Sequence, residues 1–319
     1  MVTMAIIGAL AAMMAAAMAW SMDAARRDKT RALIARLDVL VMQKYESYRY
    51  RRLPIQIPDG LNPRVAAQVR CDALRQLMRM EMPERWADII ANPIAINAGG
   101  TQVTMYRPAV SQAYLNFYNS ISQTPQFMNQ IPDPDGGSGN PQPAGNYYVG
   151  AKCLYLLVTM GLEDSDVLEN FSQADIGDPT NSGCNCFLDA WGKPIEFLRW
   201  APGFQSDLQT GFDRDQTDPL GVYGNPAVPP AAPGPANTYA LYPLIYSPGP
   251  DGYLDIVYDV GTGNAFDYSK FNNNPFASVT DTADFSNGPI GTKAILSPDP
   301  GTGTPGWADN VHNHLIGAH

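Results

Sequence analysis

The N-terminal segment of this chain is a long apolar run without a charged residue, reading MVTMAIIGALAAMMAAAMAWSM over residues 1–22. As an α-helix rising 1.5 Å per residue, it extends about 33 Å, roughly the thickness of the hydrocarbon core of a bilayer. A secretory signal peptide has a basic segment before a shorter apolar run, and no basic residue precedes this one. A buried core helix seldom lies at a chain end. The run therefore predicts a membrane-spanning helix.

The helical pattern continues beyond this apolar run. Residues 23–31 contain no Gly or Pro and carry four basic residues, Arg26, Arg27, Lys29 and Arg31. Leu33, Leu37 and Val41 then recur at helical spacing, and the first helix-breaking residue is Pro54. We therefore expect one helix of about fifty residues, roughly 75 Å long, that passes from a lipid into an amphipathic environment.

The rest of the chain predicts shorter elements. Helical patterns cover residues 63–80, 83–90, 108–122 and 147–161, and turn-forming residues fill the linker at 131–143. From residue 187 onwards, apolar and aromatic runs at 194–200, 239–246 and 253–258 predict strands. Pro243 indicates a strand edge or a strand end, and residues 221–237 read as a Pro- and Gly-rich loop.

The sequence thus predicts an α+β fold in three segments. Residues 1–53 form the long apolar helix, residues 54–186 form an intervening helical section with loops, and residues 187–319 form a small antiparallel sheet with long loops.

Charge and motifs restrict the function. The chain has 31 acidic and 21 basic residues and a formal net charge of −10, so its surface repels phosphate and nucleic acid is not expected as a partner. The sequence has no Gly-x-Ser-x-Gly elbow, phosphate-binding loop, dinucleotide fingerprint or His-Glu-x-x-His motif. We therefore expect a protein that is not an enzyme.

The four cysteines, Cys71, Cys153, Cys184 and Cys186, leave two alternatives open. Cys184 and Cys186 are too close in sequence to bridge to each other comfortably, and a disulfide from one of them to Cys153 is one hypothesis. Free buried thiols are the other.

Several segments resemble one family of membrane-anchored filament proteins. The stretch Val2-Thr-Met-Ala-Ile-Ile-Gly-Ala-Leu-Ala-Ala resembles the N-terminal helix of type IV pilins and type II secretion pseudopilins. The segment Asp189-Ala-Trp-Gly-Lys-Pro194 is similar to the Asp-x-Trp-Gly-x-Pro segment that opens the sheet of major pseudopilins, and Ser247-Pro-Gly-Pro-Asp-Gly252 to their later Ser-x-Gly-x-Asp-Gly turn. The whole chain, including residues 45–55 and 307–314, also looks like large pilin-like proteins of planctomycetes.

This resemblance implies a structural subunit that polymerises through its N-terminal helix. Such a subunit is held in the inner membrane before assembly, is handled by a pilus or secretion machinery, and ends in a surface filament or a periplasmic pseudopilus. The sequence also departs from the family. The usual glycine of the cleavage site and the glutamate at the fifth mature position have no counterpart, and residues 55–180 have none in the small family members.

The resemblance also implies a calcium ion in the loop after the sheet, because major pseudopilins hold one there. Oxygen ligands at turns suit this cation, and the candidate ligands are Asp251, Asp255, Asp309 and Asn310, with Asp281 and Asp284 as further oxygens. The alternative is that Asp251-Gly252 is a simple turn and the acids are solvated. His312 and His314 offer two nitrogen ligands, and a polar tail explains them as well.

Two other functions fit the same sequence. One is a minor pseudopilin at the tip of a short periplasmic filament. The other is a membrane-tethered binding or enzymatic domain that never polymerises.

Overall fold

The structure, a computed structural model, describes residues 2–132, 134, 141–162, 167–210, 213–222, 239–254, 256, 291 and 310–315. Within these residues the helices are α1 (Val2–Ser47), α2 (Pro63–Glu81), α3 (Trp86–Ile90), α4 (Ala109–Ile121), α5 (Pro125–Met128) and α6 (Val149–Leu156). The strands are β1 (Ile96–Ala98), β2 (Thr101–Val103), β3 (Gln130–Ile131), β4 (Gln142–Pro143), β5 (Ile176–Gly177), β6 (Cys186–Phe187), β7 (Glu196–Leu198), β8 (Leu244–Ser247) and β9 (Val311–His312). The α+β fold is as predicted.

Helix α1 confirms the predicted long helix. It runs without a break from Val2 to Ser47 and ends in a 3₁₀ turn over Tyr48–Tyr50, before Pro54. Its N-terminal half is long and apolar enough to cross a membrane, and none of the most apolar window is buried within the protein. In its C-terminal half one face is buried, formed by Leu33, Ile34, Leu37 and Val41.

The predicted helices of the middle section are present with small shifts. Helix α2 begins at Pro63, where Asn62 Oδ1 accepts a hydrogen bond from the backbone N–H of Arg64 at 2.9 Å. Helices α4 and α6 match the patterns at 108–122 and 147–161, and α6 continues as a π-helical turn over Leu157–Gly161. The pattern at 83–90 yields only the short helix α3, and the N–H of Glu84 before it donates to Asp88 Oδ2 at 3.0 Å.

The C-terminal sheet is antiparallel, as predicted, in the order β7-β8-β9. Phe197 lies opposite Ile245, and Tyr246 lies opposite His312. Every residue of β7 and β8 is buried, so both faces of these strands are covered. Of the two positions that Pro243 indicated, the strand end is confirmed, because β8 begins directly after it. The edge position is wrong, since β8 is the central strand of the three.

Other strand boundaries were only partly predicted. In the run 239–246 only the last residues join the sheet, because Pro243 has no N–H to donate. Strand β9 was not predicted, since a two-residue strand is too short to show alternation. The ends of the linker 131–143 pair as β3 and β4. Half of the predicted strand 253–258 and most of the predicted loop 221–237 lie outside the described residues.

One side chain, Asn313, fastens the sheet to α1. Its Nδ2 donates to Asp38 Oδ1 on α1 at 2.7 Å and to the carbonyl of Pro243 at 2.9 Å. Its Oδ1 accepts the N–H of Ile245 in β8 at 3.0 Å. Burial raises the pKa of Asp38 above its usual value, and the hydrogen bond from Asn313 opposes that rise.

The main hydrophobic core draws on all three predicted segments. It brings together Leu37 of α1, Met78 of α2, Leu157 after α6, Phe197 of β7 and Ile245 of β8. Helix α1 is therefore part of the folded core. The division into 1–53, 54–186 and 187–319 stays a prediction.

We predict that Leu37→Ala destabilises the domain by about 2–5 kcal/mol, because it empties a fully buried site in this core. Urea unfolding of the detergent-solubilised chain measures the change. Val39→Ala is the matched control, since Val39 lies on the same helix but is 66% exposed and its loss should cost less than about 0.5 kcal/mol. Equal losses in the two variants would mean that α1 does not pack as described.

Candidate functional site

The exposed apolar half of α1 is the most unusual surface of the protein. Every described side chain between Thr3 and Met22 is exposed, including Met13 at 70% and Trp20 at 82%. An apolar surface of this length far exceeds what a soluble monomer leaves in water. A helix satisfies all of its backbone hydrogen bonds internally, so lipid or another helix can cover this surface.

The charged residues that follow the apolar run are mostly paired within the same chain. Arg27 Nε lies 3.1 Å from Asp23 Oδ2, and Arg31 lies 3.6 Å from Asp28. Lys29 Nζ lies 2.8 Å from Asp175 Oδ1 in the domain. The two pairs within α1 are largely exposed and contribute little to stability, whereas the Asp175 side chain of the third pair is buried. Of the four basic residues in this segment, Arg26 is the one that has no ion-pair partner among the described residues, and it is exposed.

Directly beside these charges, α1 contacts the loop that opens the sheet. Thr30 is fully buried, and its Oγ1 accepts the N–H of Ala190 at 3.1 Å. Together with the Lys29–Asp175 pair, this contact marks where α1 leaves the exposed half and enters the domain.

The loop at Asp189 is an interlocked turn built on one carboxylate. Asp189 Oδ1 accepts the N–H groups of Trp191 and Lys193, each at 2.8 Å, and Gly192 takes a positive φ of 81°. The N–H of Asp189 also bonds the carbonyl of Lys193 at 2.8 Å, which closes the turn. Burial raises the pKa of the Asp189 carboxyl above its usual value, and its hydrogen bonds oppose that rise.

The two sequence segments that resemble pseudopilin motifs meet in space. Ser247 Oγ donates to Asp189 Oδ2 at 2.6 Å and accepts the N–H of Gly249 at 3.1 Å. Gly252 lies against Lys193, because a Cβ at position 252 would come within 2.8 Å of Lys193 Cε. The φ of Gly252 is +79°, which also favours glycine. The segments at 189–194 and 247–252 therefore form one unit next to α1.

Two of the four predicted calcium ligands lie within the described residues, and their hydrogen bonds place both beside the segment 251–254. Asp251 is half-buried, and its Oδ1 accepts the N–H of Tyr253 at 2.9 Å. Asn310 is 6% exposed, and its Nδ2 donates to the carbonyl of Leu254 at 2.7 Å. Its Oδ1 is buried and has no hydrogen-bond partner among the described residues, which is uncommon for a polar atom and is what a cation ligand needs.

The other two predicted ligands, Asp255 and Asp309, lie outside the described residues, as do Asp281 and Asp284. Among the residues that the structure does describe, no group of three or more His, Cys, Asp or Glu side chains has metal-binding geometry.

The two histidines do not form a metal pair in this conformation. His314 Nδ1 lies 2.9 Å from Ser206 Oγ, and its Nε2 lies 3.2 Å from the carbonyl of Pro243, so both ring nitrogens are engaged. The ring centroids of His312 and His314 are 6.3 Å apart. His314 is fully buried and packs edge-on against Phe204, so the interpretation as a polar tail is also wrong for this residue.

Sequence reasoning missed two buried ionic groups. Glu81 at the end of α2 accepts hydrogen bonds from Tyr48 at 2.7 Å and from Arg51 at 2.6 Å. Arg199 after β7 donates to the carbonyl of Met82 at 2.7 Å and to Asp88 at 3.1 Å. These partners are far apart in sequence, and only the folded chain brings them together.

All four cysteines are buried, and the structure holds them as thiols. Burial raises the pKa of Cys71 and Cys184 to about 12, and that of Cys153 well above the usual value for a thiol. These thiols are therefore protonated and unreactive while the domain is folded.

Comparisons with protein-family models, with curated proteins and with solved structures found no match.

We predict that Asp189→Ala lowers the free energy of unfolding by about 1–3 kcal/mol, because it leaves the Trp191 and Lys193 N–H groups and the Ser247 hydroxyl without their acceptor. Thermal unfolding in detergent, monitored by circular dichroism, measures the change. Asp28→Ala is the control, since the side chain of Asp28 is 76% exposed. If Asp28→Ala lowers stability as much as Asp189→Ala, the turn is not the anchor described here.

Proposed function

We propose that the chain is a structural subunit of a pilus-like or pseudopilus-like filament outside the cytoplasm, which polymerises through α1. The observation that carries this proposal is a single continuous helix with two different halves. One half is apolar and fully exposed, and the other half is built into the core of the domain.

The physical argument starts from what can cover the exposed half. In a bilayer its apolar side chains contact lipid, and it needs no partner for its backbone. When the exposed half of α1 leaves the bilayer, its contacts with lipid must be replaced by contacts with a protein surface that is equally apolar. Helices of other copies supply such contacts, and a head-to-tail contact that does not close produces a helical filament.

The rigid connection between the two halves suits this assembly. Because α1 continues into the core through Thr30, Leu33 and Leu37, packing the exposed half fixes the position of the whole domain. The domain, with its net negative charge, would then cover the outside of the filament. The subunit would reside in the inner membrane before assembly, and a pilus or secretion machinery would move it to the cell surface or into the periplasm.

The meeting of the segments 189–194 and 247–252 supports a pseudopilin-like arrangement of the sheet. In such an arrangement the loop after the sheet holds calcium through oxygen ligands. We propose Asp251, Asp255, Asp309 and Asn310 as its ligands, supported by the buried Asn310 Oδ1, which has no partner in the part of the chain that the structure describes. When bound, the ion would tie irregular backbone together.

The calcium proposal predicts a loss of stability on chelation. Treatment with a calcium-specific chelator should lower the melting temperature by several degrees, because an ion that binds only the folded state stabilises it. Asn310→Ala should abolish the effect of added calcium, whereas Glu169→Ala, at an exposed acid, should not. A melting temperature that does not respond to chelator or to calcium would argue against the site.

The filament proposal is tested by electron microscopy of material sheared from cells that express the chain. Regular fibres with this chain as main component are expected. Leu10→Arg should abolish them, because a charge in the middle of the apolar half opposes both membrane insertion and helix packing, at about 2.5–3.5 kcal/mol for insertion alone. Val39→Arg, on the exposed face of the domain half, is the matched control and should leave membrane insertion unchanged.

The alternatives give different results in this experiment. A minor tip pseudopilin would appear as a trace component beside another main subunit. A tethered domain that never polymerises would yield monomers in detergent extracts and no fibres. Either result would overturn the main proposal.

A further inference from the structure

Two of the four cysteines share one apolar cluster. Cys153 lies on α6 and Cys184 lies in the loop before β6, and both are buried among Trp86, Phe127 and Leu156. Helix α6 packs directly on β6, which brings this loop to the helix. The structure holds both residues as thiols.

Neither of the other two cysteines belongs to this cluster. Cys186 lies in β6, and its Sγ donates to the carbonyl of Gly177 across the β5–β6 pair at 3.3 Å. Cys71 lies on α2, where its surroundings include Arg75 and Asp215. Of the two cysteines that can pair with Cys153, only Cys184 belongs to its cluster.

We propose that Cys153 and Cys184 are joined by a disulfide when the domain folds outside the reducing cytoplasm. This proposal rests on the extracytoplasmic placement in the proposed function. In the reaction two S–H bonds break and one S–S bond forms. The two electrons and two protons pass to the disulfide of an extracytoplasmic thiol oxidase, which is thereby reduced to a dithiol.

The burial of both thiols determines when the disulfide can form. Folded, both thiols are protonated and shielded, so attack on an external disulfide is slow. The bond therefore forms while this region is still open, and folding then buries it. The disulfide links α6 covalently to the loop 178–185. At the start of this loop, Asp178 Oδ2 accepts the N–H of Gly183 at 2.7 Å, which keeps the two ends of the loop together.

The first test uses the purified full chain in detergent. The reduced protein is incubated with oxidised glutathione in enough urea to open the domain, the urea is diluted, and remaining thiols are blocked with N-ethylmaleimide. Digestion uses a protease that cleaves before aspartate, because trypsin has no site between Cys153 and Cys186. Mass spectrometry without reduction should show a peptide with Cys153 linked to one with Cys184, while Cys71 and Cys186 carry the blocking group.

The digestion leaves Cys184 and Cys186 on the same peptide. Matched variants therefore show which of the two forms the bond. Cys186→Ser and Cys71→Ser should keep the link, and Cys184→Ser should lose it. The oxidised chain should resist limited proteolysis roughly tenfold longer than the reduced one, because closing this loop restricts the unfolded state. A bond from Cys153 to Cys186 in the unaltered chain, or four blocked thiols, would overturn the pairing.

A second measurement separates this pairing from the proposed function. Cells are quenched in acid, and the chain from their membranes is blocked and mapped in the same way. A linked Cys153–Cys184 pair supports both proposals. Four reduced thiols in cells, beside a bond that forms in the purified chain, would overturn the extracytoplasmic placement and leave the pairing itself supported.

Discussion

Helix α1 has to satisfy two environments with one unbroken backbone. Its N-terminal half exposes apolar side chains all round, and its C-terminal half buries one face in the domain. A helix can do both because its backbone hydrogen bonds are internal wherever it lies. No Gly or Pro interrupts it between residues 9 and 47, so the two halves remain one rigid element. The main core and strands β8 and β9 pack against this helix.

The domain depends on α1 for its core as well as for its anchorage. Leu37 and Val41 fill the space against the sheet, and Asn313 bonds Asp38 and β8 at once. Where α1 enters the domain, Thr30 accepts the N–H of Ala190, beside the turn that Asp189 organises. A force or contact on the exposed half is thereby transmitted to the sheet through packed side chains, without a flexible linker.

The helical section is fixed to the sheet by charges as well as by apolar contacts. Arg199 leaves β7 and bonds Met82 and Asp88, while Glu81 bonds Tyr48 and Arg51 at the end of α1. Buried ion pairs add little net stability. Removing one partner is nevertheless strongly destabilising, because the other charge then stays buried without a counter-charge. These groups therefore specify how residues 54–186 sit on α1 and the sheet, which apolar packing alone leaves open.

The sequence by itself determined the long helix, its exposed apolar half, the main helices of the middle section and the antiparallel character of the sheet. These follow from local pattern, since period and helix breakers act between near neighbours, as Asn62 and Pro63 do at the start of α2. Only the tertiary structure decided that β8 is the central strand, that Ser247 bonds Asp189, that His314 is buried against Ser206, and that Cys184 rather than Cys186 shares a cluster with Cys153. The first three of these features join residues that lie far apart in sequence. The last distinguishes two cysteines that lie only two positions apart. Such contacts depend on how whole elements pack, and no local pattern records that.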